Sequence, residues 1–234
     1  MSIADNLSVI HGRMARAARR AGRRLEDVRL MAVSKTVPAE RIIDAYQTGQ
    51  RLFGENRVQE FAEKCDLLRG LHGAEFHMIG HLQSNKTINA AELFAGVDSL
   101  DSAKLGDRLN TAAEKLGKAL EVLIEINIGG EEAKSGVAPD SAELEGILDA
   151  APNWKHLRIQ GLMTVPPFTE NPEDARPYFR ELRRLRERLA ARNLPSIKLE
   201  VLSMGMSHDF EVAIEESSNR VRIGTAIFGE RRKA

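Results

Sequence analysis

A single cysteine, Cys65, occurs in the 234 residues, so the chain can hold no internal disulfide framework, and a reducing, cytoplasmic setting is expected. Aromatics are scarce. Trp154 and Phe168 stand isolated, so no stacking platform for bases is present. Neither sign of charge prevails. Lys+Arg and Asp+Glu number 34 each, and a formal net charge of +0 sets up no field to draw nucleic acid or a membrane surface. No apolar run approaches the ~18–20 residues that span a bilayer, and the N-terminus lacks the apolar centre of a secretory signal. Low-complexity tracts and long Gly/Ser/Pro linkers are missing too. Hydrophobic residues at 42% are enough for a sizeable core.

The first residues do carry a pattern. Ile3, Leu7, Ile10 and Met14 recur at helical spacing, Arg13, Arg16, Arg19 and Arg20 decorate the segment, and Gly22 can end it. An arginine-rich amphipathic start also suits an organelle transit peptide. Asp5 and the direct run into the following pattern favour an outer helix instead.

Beyond it, short β-branched or apolar runs alternate with helical ones. Strands are expected at Val28–Lys35, Arg51–Glu55, Glu75–Gly80, Leu93–Leu100, Ala119–Ile128, Leu157–Val165, Ile197–Gly205 and Arg220–Phe228. Their near-continuous apolar character is that of parallel strands buried on both faces. Helical stripes lie between, the cleanest being Phe179, Leu182, Leu185 and Leu189. Arg183, Arg184, Arg186 and Arg188 lie off that stripe, as on a solvated face laced with Glu181 and Glu187. Cys65 falls on the stripe of Val58, Phe61 and Ala62 and is expected in the core.

Eight such units predict an α/β fold, a single-domain (β/α)₈ TIM barrel over residues 1–234 with an extra N-terminal helix. An open doubly wound sheet is the alternative. After the eighth strand only Gly229–Ala234 remain, too few for a closing helix, so the N-terminal helix is expected to complete the outer ring.

Active residues of such barrels gather at the C-terminal ends of the strands. The first strand ends in Ser34–Lys35, the second in Gly54-Glu55-Asn56, the sixth in Met163–Thr164. A lysine ending a buried strand either reaches water or is held in a pocket for its amine chemistry. The seventh and eighth ends, "LSMGMSHDF" and "VRIGTAIFG", carry Ser203, Gly205, Ser207, Gly224 and Thr225. Glycines admit backbone N–H groups to an anion and hydroxyls add donors, so these turns are expected to cup a phosphate. A phosphate cup beside a lysine suits a phosphorylated aldehyde, since a lysine with lowered pKa attacks carbonyls. Arg222 can lower that pKa, or it can pair with a barrel carboxylate such as Glu125 or Glu200. His77 and His81 flank a strand end without a HExxH pattern, and no metal is expected.

The ordered set "AVSKT", "FGENRVQE", "FHMIGHLQSNK", "GLMTV", "LSMGMSHDFEVAI" and "VRIGTAIFG" resembles the pyridoxal phosphate homeostasis protein family across essentially the whole chain. These are single-domain barrels similar to the N-terminal domain of alanine racemase, a fold-type-III-like frame for pyridoxal 5′-phosphate (PLP). The resemblance implies that Lys35 holds PLP as an internal aldimine. It further implies that Ser203, Gly224 and Thr225 bind the phosphate, with Ser207 beside them, and that Arg222 faces the pyridine nitrogen. Asn56 and Met163 are expected to line the pocket, and His81 is a motif residue without an assigned role. The implied function is intracellular vitamin B6 homeostasis without robust turnover, as a cytoplasmic monomer, with apo PLP-dependent enzymes as recipients and neither nucleic acid nor membrane as partner. Two other readings stay open: a PLP-dependent amino-acid racemase or related enzyme, and a Schiff-base aldolase acting on a sugar phosphate. The racemase needs a second, β-rich domain for which the chain has no residues. Sugar-phosphate aldolases of this fold usually carry their lysine on a later strand.

Overall fold

The computed structural model describes residues 2–131 and 134–229. Helix α1 (Ile3–Arg20) opens it. Ser2 accepts from the Asp5 N–H while Asp5 accepts from the Ser2 N–H, a capping box that satisfies two otherwise orphaned donors. The alternation then runs β1 (Arg29–Val33), α2 (Ala39–Gln47), β2 (Leu52–Glu55), α3 (Val58–Leu68), β3 (Glu75–Met78), α4 (Thr87–Leu93), β4 (Gly96–Leu100) and α5 (Ala103–Lys115). It continues with β5 (Leu120–Glu125), α6 (Ala142–Ala150), β6 (Leu157–Met163), α7 (Arg176–Ala190), β7 (Ile197–Ser203), α8 (Phe210–Glu215), β8 (Arg220–Ile223) and α9 (Thr225–Phe228).

All neighbouring strands are parallel, and β8 pairs with β1 through Met31↔Arg222 and Ala32↔Ile223. The sheet is therefore a closed barrel in the order β1 to β8, and the open doubly wound alternative falls. The strands are shorter than expected. Leu93 ends α4 instead of opening a strand, and β5 stops at Glu125. β8 stops at Ile223, where Gly224 turns the chain into α9, so the expected strand over Gly224–Phe228 is a turn and a helix. β1 stops at Val33, which leaves Lys35 in the loop beyond it.

Side chains alternate across each strand. The outward set packs under the helices. Phe53 stacks on Phe76 at 5.1 Å, and Phe61 of α3 bridges Phe76 and Phe94 at 4.8 and 4.9 Å. Each such ring, fully buried, contributes ~1.5–3 kcal/mol. The inward set fills the barrel, and at Gly54 a Cβ would come within 2.8 Å of Met31 Sδ. Deeper in that interior lies a polar layer. Asp98 meets His77 Nδ1 at 2.8 Å and Arg220 Nη1 at 3.1 Å, all three being almost inaccessible.

α1 takes the place in the outer ring that the four-residue α9 cannot fill. It packs against α8, α9 and α2. Asn6 Nδ2 donates to Ile227 O (2.8 Å), Arg13 lies over the Phe210 ring, and Arg20 pairs with Glu215. The transit-peptide alternative is inconsistent with a helix whose apolar face is part of the core. Met1, Glu132, Ala133 and residues 230–234, including most of the expected short tail, lie outside the described residues. Cys65 is only partly buried, at the edge of the α3 core stripe rather than within it. The off-stripe arginines of α7 lie toward solvent as expected, with Arg184 and Arg188 exposed, Arg183 and Arg186 partly buried, and Arg183 3.8 Å from Glu187. Arg176, Arg180 and Arg183 converge on Glu216 at the end of α8. Among the described residues no helix is long and apolar enough to cross a membrane.

Candidate functional site

A cavity of about 710 Å³ opens at the C-terminal rim of the barrel, lined from the ends of β1, β2, β3, β6, β7 and β8. Lys35, Asn56, Ser207, Arg222, Gly224 and Thr225 line it together. The size is ordinary for a small-molecule site. Ser203 and Met163 do not line it. Both are fully buried in the barrel, where they are register partners on β7 and β6.

Lys35 sits in a tight turn just past β1, half-buried, and the next residue, Thr36, has φ 61°. The Lys35 side chain reaches the cavity because the chain turns here rather than continuing the strand. Opposite, Arg222 comes from the inward face of β8 and is almost completely buried. Its Nη1 donates to both Ser203 O and Ser203 Oγ at 2.8 Å, and Nη2 donates to Thr164 O at 2.7 Å. These bonds leave guanidinium donors over for a ligand. Burial, with Arg220 adding to it, pulls Arg222 below the ordinary guanidinium value, while Asp98, Glu125 and Asp209 oppose the shift. Starting so far above neutrality, it keeps its charge.

Neither carboxylate considered as a partner for Arg222 hydrogen-bonds it. Glu200 is exposed beside Lys198, and Glu125 acts only through space. Glu125 Oε2 is buried without a hydrogen-bond partner. Burial, reinforced by Asp101 and opposed by Arg222, pushes Glu125 up to about 7.

The loops after β7 and β8 are stitched to each other. Thr225 Oγ1 donates to Ser207 Oγ at 3.2 Å, and the Arg222 N–H donates to Gly205 O at 3.0 Å. Gly205 has φ 95°, and a Cβ there would lie 2.5 Å from Ala213 Cβ, so the turn demands glycine. The Met206 N–H donates to Asp209 Oδ1 at 2.6 Å, which closes the turn before α8. Thr225 opens α9, whose first N–H groups have no intrahelical acceptor.

Among the described residues the lining holds three cationic side chains, Lys35, Arg41 and Arg222, and no carboxylate. Three hydroxyl side chains, Thr36, Ser207 and Thr225, and two guanidiniums line the space with the Lys35 ammonium. This donor set fits an anionic, phosphorylated ligand with a carbonyl for the amine.

Sequence reasoning passed over several features. Arg41, on the exposed side of α2, was not distinguishable from other surface arginines. Phe168, expected to be isolated, lies 5.6 Å from the ring of His208, a cavity residue, and His208 Nε2 is 3.0 Å from Glu170 O. The Asp98–His77–Arg220 layer did leave a signal. Arg220 and Arg222 stand two apart in one strand and must share a face. His81 is exposed, with Nδ1 3.1 Å from Asp101, and is not part of the cavity lining.

Comparison with known proteins agrees with this fold. Residues 6–232 match the family model described as alanine racemase, N-terminal domain. Proteins named pyridoxal phosphate homeostasis protein match at full length. That of Aquifex aeolicus is 45% identical, covering 99% of this chain and 100% of its own. That of Haemophilus influenzae is 43% identical over 99% and 97%, and that of Escherichia coli 41% over 98% and 97%. The structure of PipY from Synechococcus elongatus with PLP bound is 34% identical at a TM-score of 0.84, covering 97% of this chain and all of that one. An alanine racemase of Clostridium difficile shares the fold at a TM-score of 0.75 and 15% identity, with only 58% of its length matched.

Proposed function

The chain belongs to the pyridoxal phosphate homeostasis protein family, and from that membership we propose that it binds PLP in the cavity at the barrel rim, through Lys35, and keeps it in store rather than consuming substrates with it. One observation carries the reading: the cavity gathers Lys35, Arg222, Ser207 and Thr225 and, among the described residues, no carboxylate. The bound state of PipY is the relative that supports PLP as the ligand.

Bound PLP supplies an electrophilic aldehyde carbon to which an amine adds. Lys35 is the amine in reach. It must present its nitrogen without a proton to add to the aldehyde. Thr225 and Ser207 would hold the phosphate through their hydroxyls. Ser203 serves Arg222 rather than the phosphate, because its oxygens accept from the guanidinium. Arg222 is the residue that would donate to the pyridine nitrogen. As a permanent cation it leaves that nitrogen without a proton of its own, which weakens the ring as an electron sink. That property suits holding and passing on the cofactor better than racemisation. A monomeric state, a cytoplasmic location and delivery to apo PLP-dependent enzymes belong to the same proposal.

Titration of the purified protein with PLP, followed by absorbance, tests the reading. Saturable uptake with a new long-wavelength band is expected, together with negligible α-proton exchange of added amino acids in deuterated water. Absence of saturable uptake would overturn it, and rapid exchange with loss of configuration would favour the racemase.

A further inference from the structure

We propose that Lys64 is a positioning residue for Lys35: its ammonium, seated under the turn, fixes the two carbonyls that bracket the cofactor lysine. The proposal rests on the reading of Lys35 as the PLP-bearing lysine. Lys64 belongs to α3 and lies on the inner face of that helix with Val58, Phe61 and Leu68, where it is only 9% exposed. Its Nζ donates to Ser34 O at 3.0 Å and to Val37 O at 3.2 Å, and pairs with Glu55 Oε1 at 2.9 Å.

Those partners enclose the turn. Ser34 and Val37 are its first and last residues, closed by Val37 N–H to Ser34 O at 3.0 Å, with Lys35 and Thr36 between. Ser34 Oγ donates to the same Glu55 oxygen at 2.5 Å, and the Thr36 N–H is held by Glu60. Glu60 Oε1 lies 3.7 Å from Lys64 Nζ. Ser34, Thr36 and Val37 are thus tied, directly or through one carboxylate, to the ammonium of α3.

The turn needs such a hold. Thr36 occupies its third position with φ 61°, a place that favours glycine or asparagine and is strained for a β-branched residue. A left-handed threonine persists where the surroundings over-determine it. Apolar packing would fill the inner face of α3 at lower desolvation cost than an ammonium and a carboxylate. An ammonium does what a methyl group cannot, because it gathers several carbonyl and carboxylate oxygens at one point. The result is an amine-bearing residue whose backbone is set by the neighbouring β/α unit.

Wild type, Lys35→Ala and the charge-neutral pair Glu55→Gln/Lys64→Met separate the two claims. In the absence of PLP, hydrogen exchange of the 34–37 amides should rise at least tenfold in the pair, with the melting temperature nearly unchanged. With PLP, the rate at which borohydride-fixable pyridoxyl accumulates on Lys35 should fall at least tenfold. Adding Thr36→Gly to the pair should restore part of that rate, since glycine adopts the turn unaided. Unchanged exchange and attachment in the pair would overturn the positioning role. If wild type itself carries no adduct on Lys35, the PLP reading fails, while the exchange measurement still decides whether Lys64 holds the turn. Should the pair not fold, Glu60→Ala, at a partly exposed site, must loosen the Thr36 amide alone, and its failure to do so would count against the clamp.

Discussion

Thr225 Oγ1 lies 3.2 Å from Ser207 Oγ, joining the loops after β8 and β7 across 18 residues of sequence. Both hydroxyls line the cavity, one at the head of α9 and one just before α8. Their closeness joins two ordinary tight turns into one hydroxyl-bearing wall of the cavity.

Thr225→Ala and Ser207→Ala are each expected to weaken PLP binding. A hydrogen bond to a charged group is worth ~1.5–3 kcal/mol, about a tenfold loss or more for each. The double variant should lose less than the sum, because the two hydroxyls touch and are coupled. Equilibrium titration measures all three, and unchanged affinity in the double variant would place the phosphate elsewhere.

Arg222→Glu is expected to move the cofactor absorbance more than it changes phosphate affinity, because the residue faces the ring in our reading. Ser203→Ala should produce the same spectral change in weaker form, since Ser203 Oγ accepts from Arg222 Nη1. A Ser203→Ala variant that lost phosphate affinity and kept its spectrum would return Ser203 to the phosphate site.

The barrel interior should titrate in two opposite directions. Burial alone would raise Asp98, but His77 and Arg220 hold it down at about 2. A depressed carboxyl stabilises the fold above the ordinary Asp value and loses that contribution as pH falls toward about 2. The contribution at neutral pH is about 2 kcal/mol. Glu125 is raised to about 7, so it does the reverse: its folded form prefers the proton, and stability is lost as pH rises from the ordinary Glu range toward about 7. Denaturant unfolding from pH 2 to 8 checks this. Glu125→Gln should flatten the decline between roughly pH 5 and 7, and an unaltered profile would show that Glu125 ionises normally.

Much of this was legible in the sequence. Eight apolar runs in β/α alternation gave a closed barrel because parallel strands buried on both faces have no polar alternation to confuse the pattern. Glycines and hydroxyls after the last two strands pointed to tight, joined turns because their local conformation is written in the residue types. Strand ends were read too long at Lys35 and at Gly224. At Lys35 the chain turns for reasons that lie elsewhere in the sequence, in Glu55, Glu60 and Lys64. The resemblance implies a phosphate role for Ser203, whereas the structure buries it with Oγ accepting from Arg222 Nη1. Arg41 and the contact of Phe168 with His208 depend on loops meeting in space, and no local pattern announces that.

Lys35→Ala should abolish covalent capture of PLP while leaving weaker binding anchored by Thr225, Ser207 and Arg222. The same reducible adduct in the variant would show that another amine takes the aldehyde.

The most direct measurement is borohydride reduction of the protein loaded with PLP, followed by peptide mass analysis. Our account predicts loss of the long-wavelength absorbance and a pyridoxyl mass on the peptide that contains Lys35. A pyridoxyl mass confined to another lysine, or no adduct at saturating PLP, would contradict it.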